Sequence, residues 1–558
     1  MTAGAERSSL RSRLVYDPQE LKFGTSGRRG RVTDLTQLEV YINALAEMEY
    51  LQSLPPSAGG VVPGDPFFFA YDLRPSSSRY VPSQEGRGEI AQAIAVAIGD
   101  AGMQPINLGR IPTPALTYHA LSRGKGSVMV TGSHIPFDRN GYKLNTSRGE
   151  LPKEHEEPIN QNVRRVRERI YNRSFTESVF DEWGLFKAGH RELPAESDQA
   201  RESYMERYLS FFTDASLEGK RLLVYEHSAV GGEILIEILE RLGAEVIPSG
   251  RSEAFVPIDT ENIDEDQLAM IQAFVDEATA KHGPIHAVLS TDGDSDRPLV
   301  LDVGRGTRKV QFFGGDLVGM IAAEYLGADA VVVPISCNDA IDLGSLAHVT
   351  EPKTRIGSPY VIAGMESARS RGKRVICGWE ANGGFLLGSD VERRGKFLKA
   401  LLTRDAVLPI LCTLFAAQAK GLSLGDLFAQ LPRRFSRAAL LKEFPRPVAR
   451  KILEQFSPSH AEPRAANMRT IEEKLQKFFT PEMGFGRIMS LDYTDGVRVI
   501  FDNGDVAHLR PSGNADEFRV YATADTQHRA HAIASLAAAE PGGILRTMEK
   551  ALLAGSSN

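Results

Sequence analysis

A hydroxyl, an imidazole and an amine occur together in the segment 131–143, which reads TGSHIPFDRNGYK. The segment follows Gly126–Thr131, whose composition predicts a buried strand, so it begins at a strand's carboxyl end, where open α/β sheets bind ligands. A serine hydroxyl alone is a poor nucleophile, and turn residues here could bring the amine of Lys143 back over Ser133 beside His134. The same residues also fit an ordinary turn with a helix-capping serine.

A second segment, 290–297 (STDGDSDR), places three carboxylates at alternate positions directly after another apolar strand. These are Asp292, Asp294 and Asp296. Like charges this close repel strongly unless a cation neutralises them, and hard oxygen ligands suit Mg²⁺. An EF-hand is excluded, because Arg297 and Val303 occupy the positions that require glycine and a bidentate glutamate. The alternative is an acidic turn exposed to solvent.

Two basic, glycine-containing loops could bind phosphate. FGTSGRRG (23–30) offers guanidinium groups, including that of Arg29, on a chain that can approach an anion closely. RPSGN (510–514) offers hydroxyl, amide and backbone donors beside Arg510, and Arg519 follows on a strand-like stretch. Each loop also fits a simple turn, so neither identifies a site alone.

A third type of loop, GWEANGG (378–384), follows a strand-like stretch and carries a carboxylate and an amide two positions apart. Glu380 and Asn382 can therefore face one ligand and bind sugar hydroxyls, although this motif alone is explained better by a glycine turn with a capped carboxylate. TRIGS (354–358) and DLRPS (72–76) are similar polar loops after strand-like segments, and either could be scaffold.

The elements that carry these loops alternate between strands and amphipathic helices, which predicts an α/β fold. A long helix is expected over Thr403–Lys420, and the charged stretch Glu150–Arg169 is expected to be a solvated helix or loop. Beyond Leu431 the pattern becomes α+β. We expect four domains, at 1–213, 214–308, 309–430 and 431–558.

The composition of the 558 residues, 42% hydrophobic and 25% charged, is that of a globular protein, and the net charge of −7 argues against a broad nucleic-acid surface. Neither a secretory signal nor an apolar stretch of bilayer length is evident. The three cysteines, Cys337, Cys377 and Cys412, form no C-x-x-C pair, which argues against disulfides and thiolate zinc sites. A cytoplasmic protein is expected.

Four of these loops, taken in chain order, resemble those of the α-D-phosphohexomutase superfamily, the phosphomannomutase and phosphoglucomutase enzymes. They are 131–143, 290–297, 378–384 and 510–514, and the resemblance covers nearly the whole chain. The resemblance implies three related α/β domains with mixed sheets and a smaller α+β domain around one cleft. It also implies Mg²⁺, a hexose 1,6-bisphosphate intermediate, small-molecule sugar phosphates as ligands, and a monomer or homodimer.

The resemblance implies a role for each matching residue. Ser133 would carry the phosphoryl group and contribute to the Mg²⁺ site with Asp292, Asp294 and Asp296. The other catalytic residues would be Lys143, Arg29 and His134. Substrate contacts would come from Glu380, Asn382, Thr354, Gly357 and Arg297. The distal phosphate would be bound by Arg510, Ser512, Gly513, Asn514 and Arg519.

The sequence departs from the family pattern at several positions. Gly132 and Ile135 replace the usual alanine and asparagine, Asn382 replaces a serine, and Gly384 replaces a histidine found in some members. We therefore expect an isomerase of hexose phosphates, with mannose preferred over glucose and glucosamine. A metal-dependent sugar phosphatase and a non-catalytic sugar-phosphate sensor are the alternatives from other classes.

Overall fold

The computed structural model describes residues 8–24, 27–261, 263–457, 464–512 and 516–555. Within these ranges, every helix is too short or too polar to cross a membrane. The sheets follow one another along the chain, each with its own covering helices.

The first unit has a mixed sheet in which two parallel pairs adjoin an antiparallel hairpin. Its strands are β1 (Arg28–Arg31), β2 (Pro66–Tyr71), β3 (Tyr80–Val81), β4 (Arg87–Gly88), β5 (Gln104–Asn107), β6 (Ser127–Val130), β7 (Arg139–Thr146) and β8 (Gly149–Glu150). Its helices are α1 (Leu10–Arg13), α2 (Gln37–Ser53), α3 (Pro75–Ser78), α4 (Ile90–Asp100), α5 (Thr113–Leu121), α6 (Glu156–Tyr171) and α7 (Gln199–Phe211). The sheet order is β1-β7-β6-β2-β5, with β8 beside β7, and β3 and β4 form a separate pair.

The second unit repeats this arrangement. Its elements are β9 (Arg221–Tyr225), α8 (Gly232–Arg241), β10 (Glu245–Ser249), α9 (Glu265–His282), β11 (Ala287–Thr291), β12 (Pro298–Val303) and β13 (Val310–Phe313). The order is β10-β9-β11-β12-β13, parallel as far as β11 and antiparallel beyond it.

The third unit has the same plan with shorter strands. Its helices are α10 (Gly315–Leu326), α11 (Ser358–Ser370), α12 (Val407–Lys420) and α13 (Leu424–Phe428). Its strands are β14 (Ala330–Val332), β15 (Ile376–Trp379), β16 (Phe385–Leu387), β17 (Val391–Arg393), β18 (Lys396–Leu398) and β19 (Leu401–Asp405). The sheet order is β14-β15-β16-β19, and β17 and β18 form a hairpin.

The last unit is different, because neighbouring strands of its sheet are all antiparallel. The strands are β20 (Phe435–Lys442), β21 (Ile488–Asp492), β22 (Val497–Phe501), β23 (Val506–Pro511) and β24 (Glu517–Ala524). The helices are α14 (Arg446–Gln455), α15 (Arg464–Gln476), α16 (Gln527–Ala538) and α17 (Ile544–Gly555). The sheet order is β20-β24-β23-β22-β21, and these elements enclose a separate hydrophobic core.

The expected fold class, three mixed α/β units followed by an α+β unit, is confirmed. The domain boundaries at 213, 308 and 430 remain predictions. In each α/β unit, two consecutive strands of the main sheet form an antiparallel hairpin that carries a candidate loop. These hairpins are β6–β7, β11–β12 and β15–β16. The turns of these hairpins are the serine loop, the aspartate loop and the glutamate loop, so the repeated topology presents one candidate loop from each unit.

Two expectations about local structure are wrong in detail. Thr403–Asp405 belongs to β19 rather than to the helix, because the Asp405 carboxylate accepts the backbone N–H of Val407 and starts α12 there. The charged stretch expected to be a solvated helix or loop does form a helix, α6, but only one face of it is solvated, because the apolar face is buried against α2. The buried apolar residues of α6 are Ile159, Val163, Val166 and Ile170.

Candidate active site

Ser133 lies at the turn after β6 and is completely buried. Its backbone is left-handed (φ 55°), and its N–H donates to Thr131 Oγ1 at 2.7 Å, while the Thr131 hydroxyl donates to Asp72 at 2.8 Å. A non-glycine residue in this conformation carries local strain, which the surrounding contacts must offset. The hydrogen bonds therefore hold Ser133 in one orientation.

Arg74 fixes the rest of the serine loop from α3's N-terminal side. Its guanidinium donates to the carbonyl oxygens of Ser133, Ile135, Pro136 and Arg139 at 2.5–3.1 Å and lies 3.7 Å from the centre of the Phe255 ring. A Cβ at position 132 would lie 2.6 Å from Arg74 Nε, so the departure to glycine there leaves room for this side chain. The loop DLRPS therefore acts as a scaffold for the serine loop through Arg74.

The Ser133 hydroxyl donates to Asp292 Oδ2 at 2.7 Å, although 159 positions separate the two residues. This contact joins the turn of the β6–β7 hairpin to the turn of the β11–β12 hairpin. The backbone N–H groups of Asp296 and Arg297 donate to Asp292 Oδ1 at 3.1 and 3.2 Å and keep the aspartate turn closed. A nucleophile and an acidic cluster thereby meet at one point.

The three aspartates of this turn form a compact group of acceptors. Asp292, Asp294 and Asp296 are buried, and each offers a carboxylate oxygen within 4.8 Å of the others. Asp294 Oδ1 and Asp296 Oδ1 have no hydrogen-bond partner among the described residues. Burial and the two neighbouring carboxylates raise the pKa of Asp292 well above its ordinary value. Orphaned hard oxygen atoms in a negative, buried cluster fit a divalent cation such as Mg²⁺.

Lys143 supplies positive charge to the same cluster from β7. Its Nζ donates to Asp294 Oδ2 and to Asp296 Oδ2, each at 2.6 Å, and Thr113 donates to Asp294 Oδ2 at 2.5 Å. Burial opposes ionisation of Asp294, but Lys143 and Thr113 outweigh it and lower the pKa of that carboxyl. The structure therefore directs Lys143 at the aspartates beside Ser133.

Arg404, at the end of β19, connects the aspartate loop to the glutamate loop. Its Nε and a terminal nitrogen contact Asp296 Oδ2 at 3.0 and 2.9 Å, and the other terminal nitrogen donates to Glu380 Oε2 at 3.0 Å. All three side chains are buried. A Cβ at Gly384 would lie 2.5 Å from Arg404 Cδ, so the glycine gives this guanidinium its room.

The remaining residues of the glutamate loop and of the loop 354–358 have mixed positions. Asn382 is buried, and its side-chain oxygen accepts the N–H of Gly384 at 2.9 Å, which forms the turn. Thr354 donates its hydroxyl to the Arg355 carbonyl at 2.9 Å. Gly357 precedes α11 with φ 132°, a backbone that favours glycine. These contacts shape the two loops, and the substrate contacts expected of Asn382, Thr354 and Gly357 remain predictions.

Three predicted residues, Arg29, His134 and Arg297, lie around the serine and the aspartates. Arg297 Nε is 3.7 Å from Asp296 and 3.9 Å from Asp292. Burial, with further contributions from Arg297 and other cations, lowers the pKa of Arg29 to about 10. His134 Nδ1 lies 3.3 Å from Ser133 Oγ, and burial followed by the charges of Arg297 and Arg29 lowers its pKa well below the ordinary value. The imidazole is therefore neutral at neutral pH.

The last unit contributes two arginines to the cleft. Arg510 and Arg519 face each other across the β23–β24 pair; Arg510 Nε donates to Asp495 at 3.0 Å, and Arg519 pairs with Glu517 at 3.0 Å. Ser512 is buried, and its N–H donates to the Glu517 carbonyl at 2.9 Å. Gly513 and Asn514 lie outside the described residues.

Glu261 is a carboxylate in the cleft that no motif indicates. Burial and the neighbouring Asp259 raise its pKa to about 7, against the opposing charges of Arg297 and Arg519. Thr260 donates to the Asn382 carbonyl at 2.9 Å and joins this segment to the glutamate loop. The sequence motifs indicate none of Arg74, Arg404 and Glu261 as site residues, although Arg74 lies in the polar loop DLRPS.

Family models and known proteins match most of this chain. Residues 20–170 and 314–435 match the models of the α/β/α domains I and III of phosphoglucomutase/phosphomannomutase. The chain is 36% identical to a phosphomannomutase of Salmonella muenchen over 522 residues, 92% of this chain and 94% of that protein. It is also 36% identical to a phosphomannomutase of Sinorhizobium fredii over 505 residues, 90% and 95% of the two chains.

Solved structures share the fold at low sequence identity. A phosphoglucomutase/phosphomannomutase family protein of Burkholderia thailandensis matches with a TM-score of 0.61 and 16% identity, over 94% of this chain and 99% of that one. N-acetylphosphoglucosamine mutase of Aspergillus fumigatus, in complex with GlcNAc-6P and magnesium, matches with a TM-score of 0.53 and 15% identity, over 98% and 100%.

Proposed function

Because the chain belongs to the phosphoglucomutase/phosphomannomutase family of intramolecular phosphotransferases, we propose that it interconverts hexose 6-phosphate and hexose 1-phosphate, with mannose phosphate preferred. The hydrogen bond from Ser133 to Asp292 carries this proposal, because it places a nucleophile against an acidic cluster that fits a divalent cation. The two relatives that are 36% identical are phosphomannomutases, which supports mannose as the preferred sugar.

In this proposal, phosphorylated Ser133 gives its phosphoryl group to the free hydroxyl of the bound sugar phosphate. The bond from phosphorus to Ser133 Oγ breaks, a bond to the sugar oxygen forms, and a hexose 1,6-bisphosphate results. The proton that the sugar hydroxyl loses is relayed through Lys143 to Ser133 Oγ, so that no net proton is gained or lost, and the serine hydroxyl that results donates its hydrogen bond to Asp292 again. The bisphosphate then reorients within the cleft, and the reverse of this step transfers its other phosphoryl group to Ser133.

The aspartates Asp292, Asp294 and Asp296, together with the phosphate on Ser133, would hold Mg²⁺. Bound Mg²⁺ would stabilise negative charge on the transferring phosphoryl group as a Lewis acid. Thr113 holds Asp294 from a different unit, and Arg404 holds Asp296, so both carboxylates are oriented before a cation binds. Such prior orientation lowers the reorganisation required for catalysis.

The arginines of the cleft would bind the two ends of the substrate. Arg510, Arg519 and the loop that includes Ser512, Gly513 and Asn514 would bind the phosphate that is not reacting. Arg29 and Arg297 would stabilise charge on the reacting phosphoryl group. Glu380, held by Arg404, would accept hydrogen bonds from sugar hydroxyls, with Asn382, Thr354 and Gly357 shaping the loops around it.

The natural ligands are accordingly small-molecule sugar phosphates, with a hexose 1,6-bisphosphate as activator. We place the enzyme in the cytoplasm as a monomer or homodimer. The three free, buried cysteines support a reducing compartment.

A coupled assay tests the proposed function. The purified protein is incubated with Mg²⁺, a hexose 1,6-bisphosphate and, in turn, mannose 1-phosphate, glucose 1-phosphate or glucosamine 1-phosphate. We expect formation of the 6-phosphate with the highest kcat/KM for mannose 1-phosphate. Stoichiometric release of inorganic phosphate would identify a phosphatase, and binding without turnover a sensor, and either result contradicts the proposal.

A further inference from the structure

A cavity of about 470 Å³ lies between the second and third units, away from the active site. Its wall includes the start of β11 at Ala287, the end of β12 at Val303, and the second half of α12 at Leu414 and Ala417. The aspartate loop follows the other end of β11, and at ~3.3 Å per residue the strand puts about 17 Å between them. The cavity is therefore separate from the proposed catalytic cleft.

Positive charge surrounds the mouth of this cavity. Lys220, Arg305 and Arg308 line it, and none of them makes an ion pair or side-chain hydrogen bond with a described residue. The described lining residues include no carboxylate. Arg305 interacts electrostatically with the carboxylate of Asp302, but Lys220 and Arg308 add further positive charge, which gives an anion a favourable place to bind.

The loop that carries two of these cations has a defined shape. It connects β12 to β13, and the N–H of Arg308 donates to the Gly304 carbonyl at 2.8 Å, while the N–H of Gly304 donates to the Lys309 carbonyl at 3.0 Å. Both ends of the turn are thus tied together. Arg305 and Arg308 are exposed, which leaves their guanidinium groups accessible to a ligand.

The wall of the cavity is mainly apolar, with His286, Ser423 and the orphaned hydroxyl of Thr279 as its uncharged polar side chains. Leucines from both units contribute to it, together with Ile285 and Ala287. The leucines are Leu217, Leu222, Leu414, Leu422 and Leu424. Thr279 also lines it; its Oγ1 is buried, the residue is 8% exposed, and the atom has no hydrogen-bond partner among the described residues. A buried hydroxyl without a partner is unfavourable, and a ligand atom would satisfy it.

We propose that this cavity is a binding site for a small anionic amphiphile, whose apolar rings enter between the two units and whose acidic group lies among Lys220, Arg305 and Arg308. The volume falls within the range of about 300–1,000 Å³ that small-molecule sites occupy. The combination of an apolar interior and a cationic mouth selects against purely polar anions such as sugar phosphates. The proposal is independent of the proposed catalytic function.

The test uses two fluorescent probes that share the same aromatic skeleton. 8-Anilino-1-naphthalenesulfonate carries a negative charge, and N-phenyl-1-naphthylamine is its uncharged counterpart. Each is titrated into the full-length protein and into the variant Arg305→Glu/Arg308→Glu, whose changes lie on an exposed turn. Arg450→Glu, an exposed arginine on α14 outside the cavity, is the matched control. A fourth protein, Ala417→Trp, fills the cavity.

We expect one saturable site for the sulfonate, with affinity for the double variant weaker by about tenfold, while Arg450→Glu binds like the natural chain. The neutral probe should bind the natural chain and the double variant with equal affinity. Ala417→Trp should abolish binding of both probes while its circular dichroism spectrum stays that of the natural chain. If Ala417→Trp perturbs the fold, the double variant alone decides the outcome. Equal affinity of the sulfonate for the double variant and the natural chain, or no saturable binding, would overturn the proposal.

Discussion

The side chain of Arg404 occupies the space next to Gly384 that a Cβ at that position would require. The nearest contacts of that Cβ would be 2.5 Å to Cδ and 2.7 Å to Cγ of the arginine, below normal van der Waals separation. In this position Arg404 contacts both Asp296 and Glu380. Gly384, a departure from the family pattern, and Arg404, which no motif indicates, thus form a matched pair.

Substitution of Gly384 by alanine should therefore displace Arg404. We expect kcat/KM for mannose 1-phosphate to fall at least about tenfold, because Asp296 and Glu380 lose their shared partner. The melting temperature should also fall, since steric overlap in a packed interior costs roughly 1–3 kcal/mol. Steady-state kinetics and thermal unfolding measure both effects.

Gly99→Ala is the control for this substitution. Gly99 lies in α4, and a Cβ there would meet nothing within 4 Å. An added methyl group in a helix should leave activity unchanged and stabilise the fold by about 0.5–1 kcal/mol. A Gly384→Ala enzyme as active as Gly99→Ala would contradict the proposed role of the pair.

Replacement of Arg404 by glutamine removes the charge that holds the two loops together. We expect kcat to decrease by about 10²-fold, and the Mg²⁺ concentration for half-maximal activity to change, because Asp296 loses its fixed orientation. Binding of Mn²⁺, followed by electron paramagnetic resonance, gives a readout independent of turnover. Arg394→Gln, at an exposed turn, should behave like the natural chain. Unaltered metal binding and kcat in Arg404→Gln would refute this role.

Glu261 should make stability depend on pH. Its pKa is raised from 4.5 to about 7 in the folded chain, mainly by burial and by Asp259. The protonated form is therefore favoured by folding, and its contribution to stability is present below about pH 4.5 and lost as the pH rises to about 7. The other charged groups that affect it are Arg297, Arg519 and Glu380.

Thermal unfolding of Glu261→Gln at several pH values tests this dependence. Glutamine resembles the neutral carboxyl, so the variant should match the natural chain near pH 5 and melt about 2 °C or more above it near pH 8. Glu253→Gln, an exposed carboxylate in the same segment, should show no such divergence. A difference in melting temperature that stays constant with pH would show that Glu261 titrates normally.

Local signals in the sequence predict the candidate loops well. Ser133, Asp292 and Glu380 each follow an apolar strand, and strand ends are where hairpin turns present side chains to a cleft. The alternation of strands and helices likewise predicts the three α/β units and the different last unit. The prediction of a helix over Thr403–Asp405 failed because Asp405 both ends β19 and accepts the N–H of Val407, the first residue of α12, a double role that helical periodicity does not reveal.

The partners that orient these loops are not predictable from local pattern. Arg74, Arg404 and Glu261 acquire their roles through contacts distant in sequence, as when Arg74 reaches the serine loop within the first unit or Arg404 reaches Asp296 over 108 positions. The sequence predicts Lys143 near Ser133, but not that its Nζ lies between Asp294 and Asp296, in the acidic group that Asp292 joins to Ser133. Only the packing of the units determines which charges meet.

Identification of the phosphorylated residue tests the central claim most directly. The protein is incubated with Mg²⁺ and a hexose 1,6-bisphosphate, digested, and analysed by mass spectrometry for the peptide that gains a phosphoryl group, with Ser133→Ala and the exposed-site variant Ser122→Ala in parallel. The account predicts a phosphoryl group on Ser133 in the natural chain and in Ser122→Ala, and neither label nor turnover in Ser133→Ala. Phosphate on another residue, or full turnover by Ser133→Ala, would contradict it.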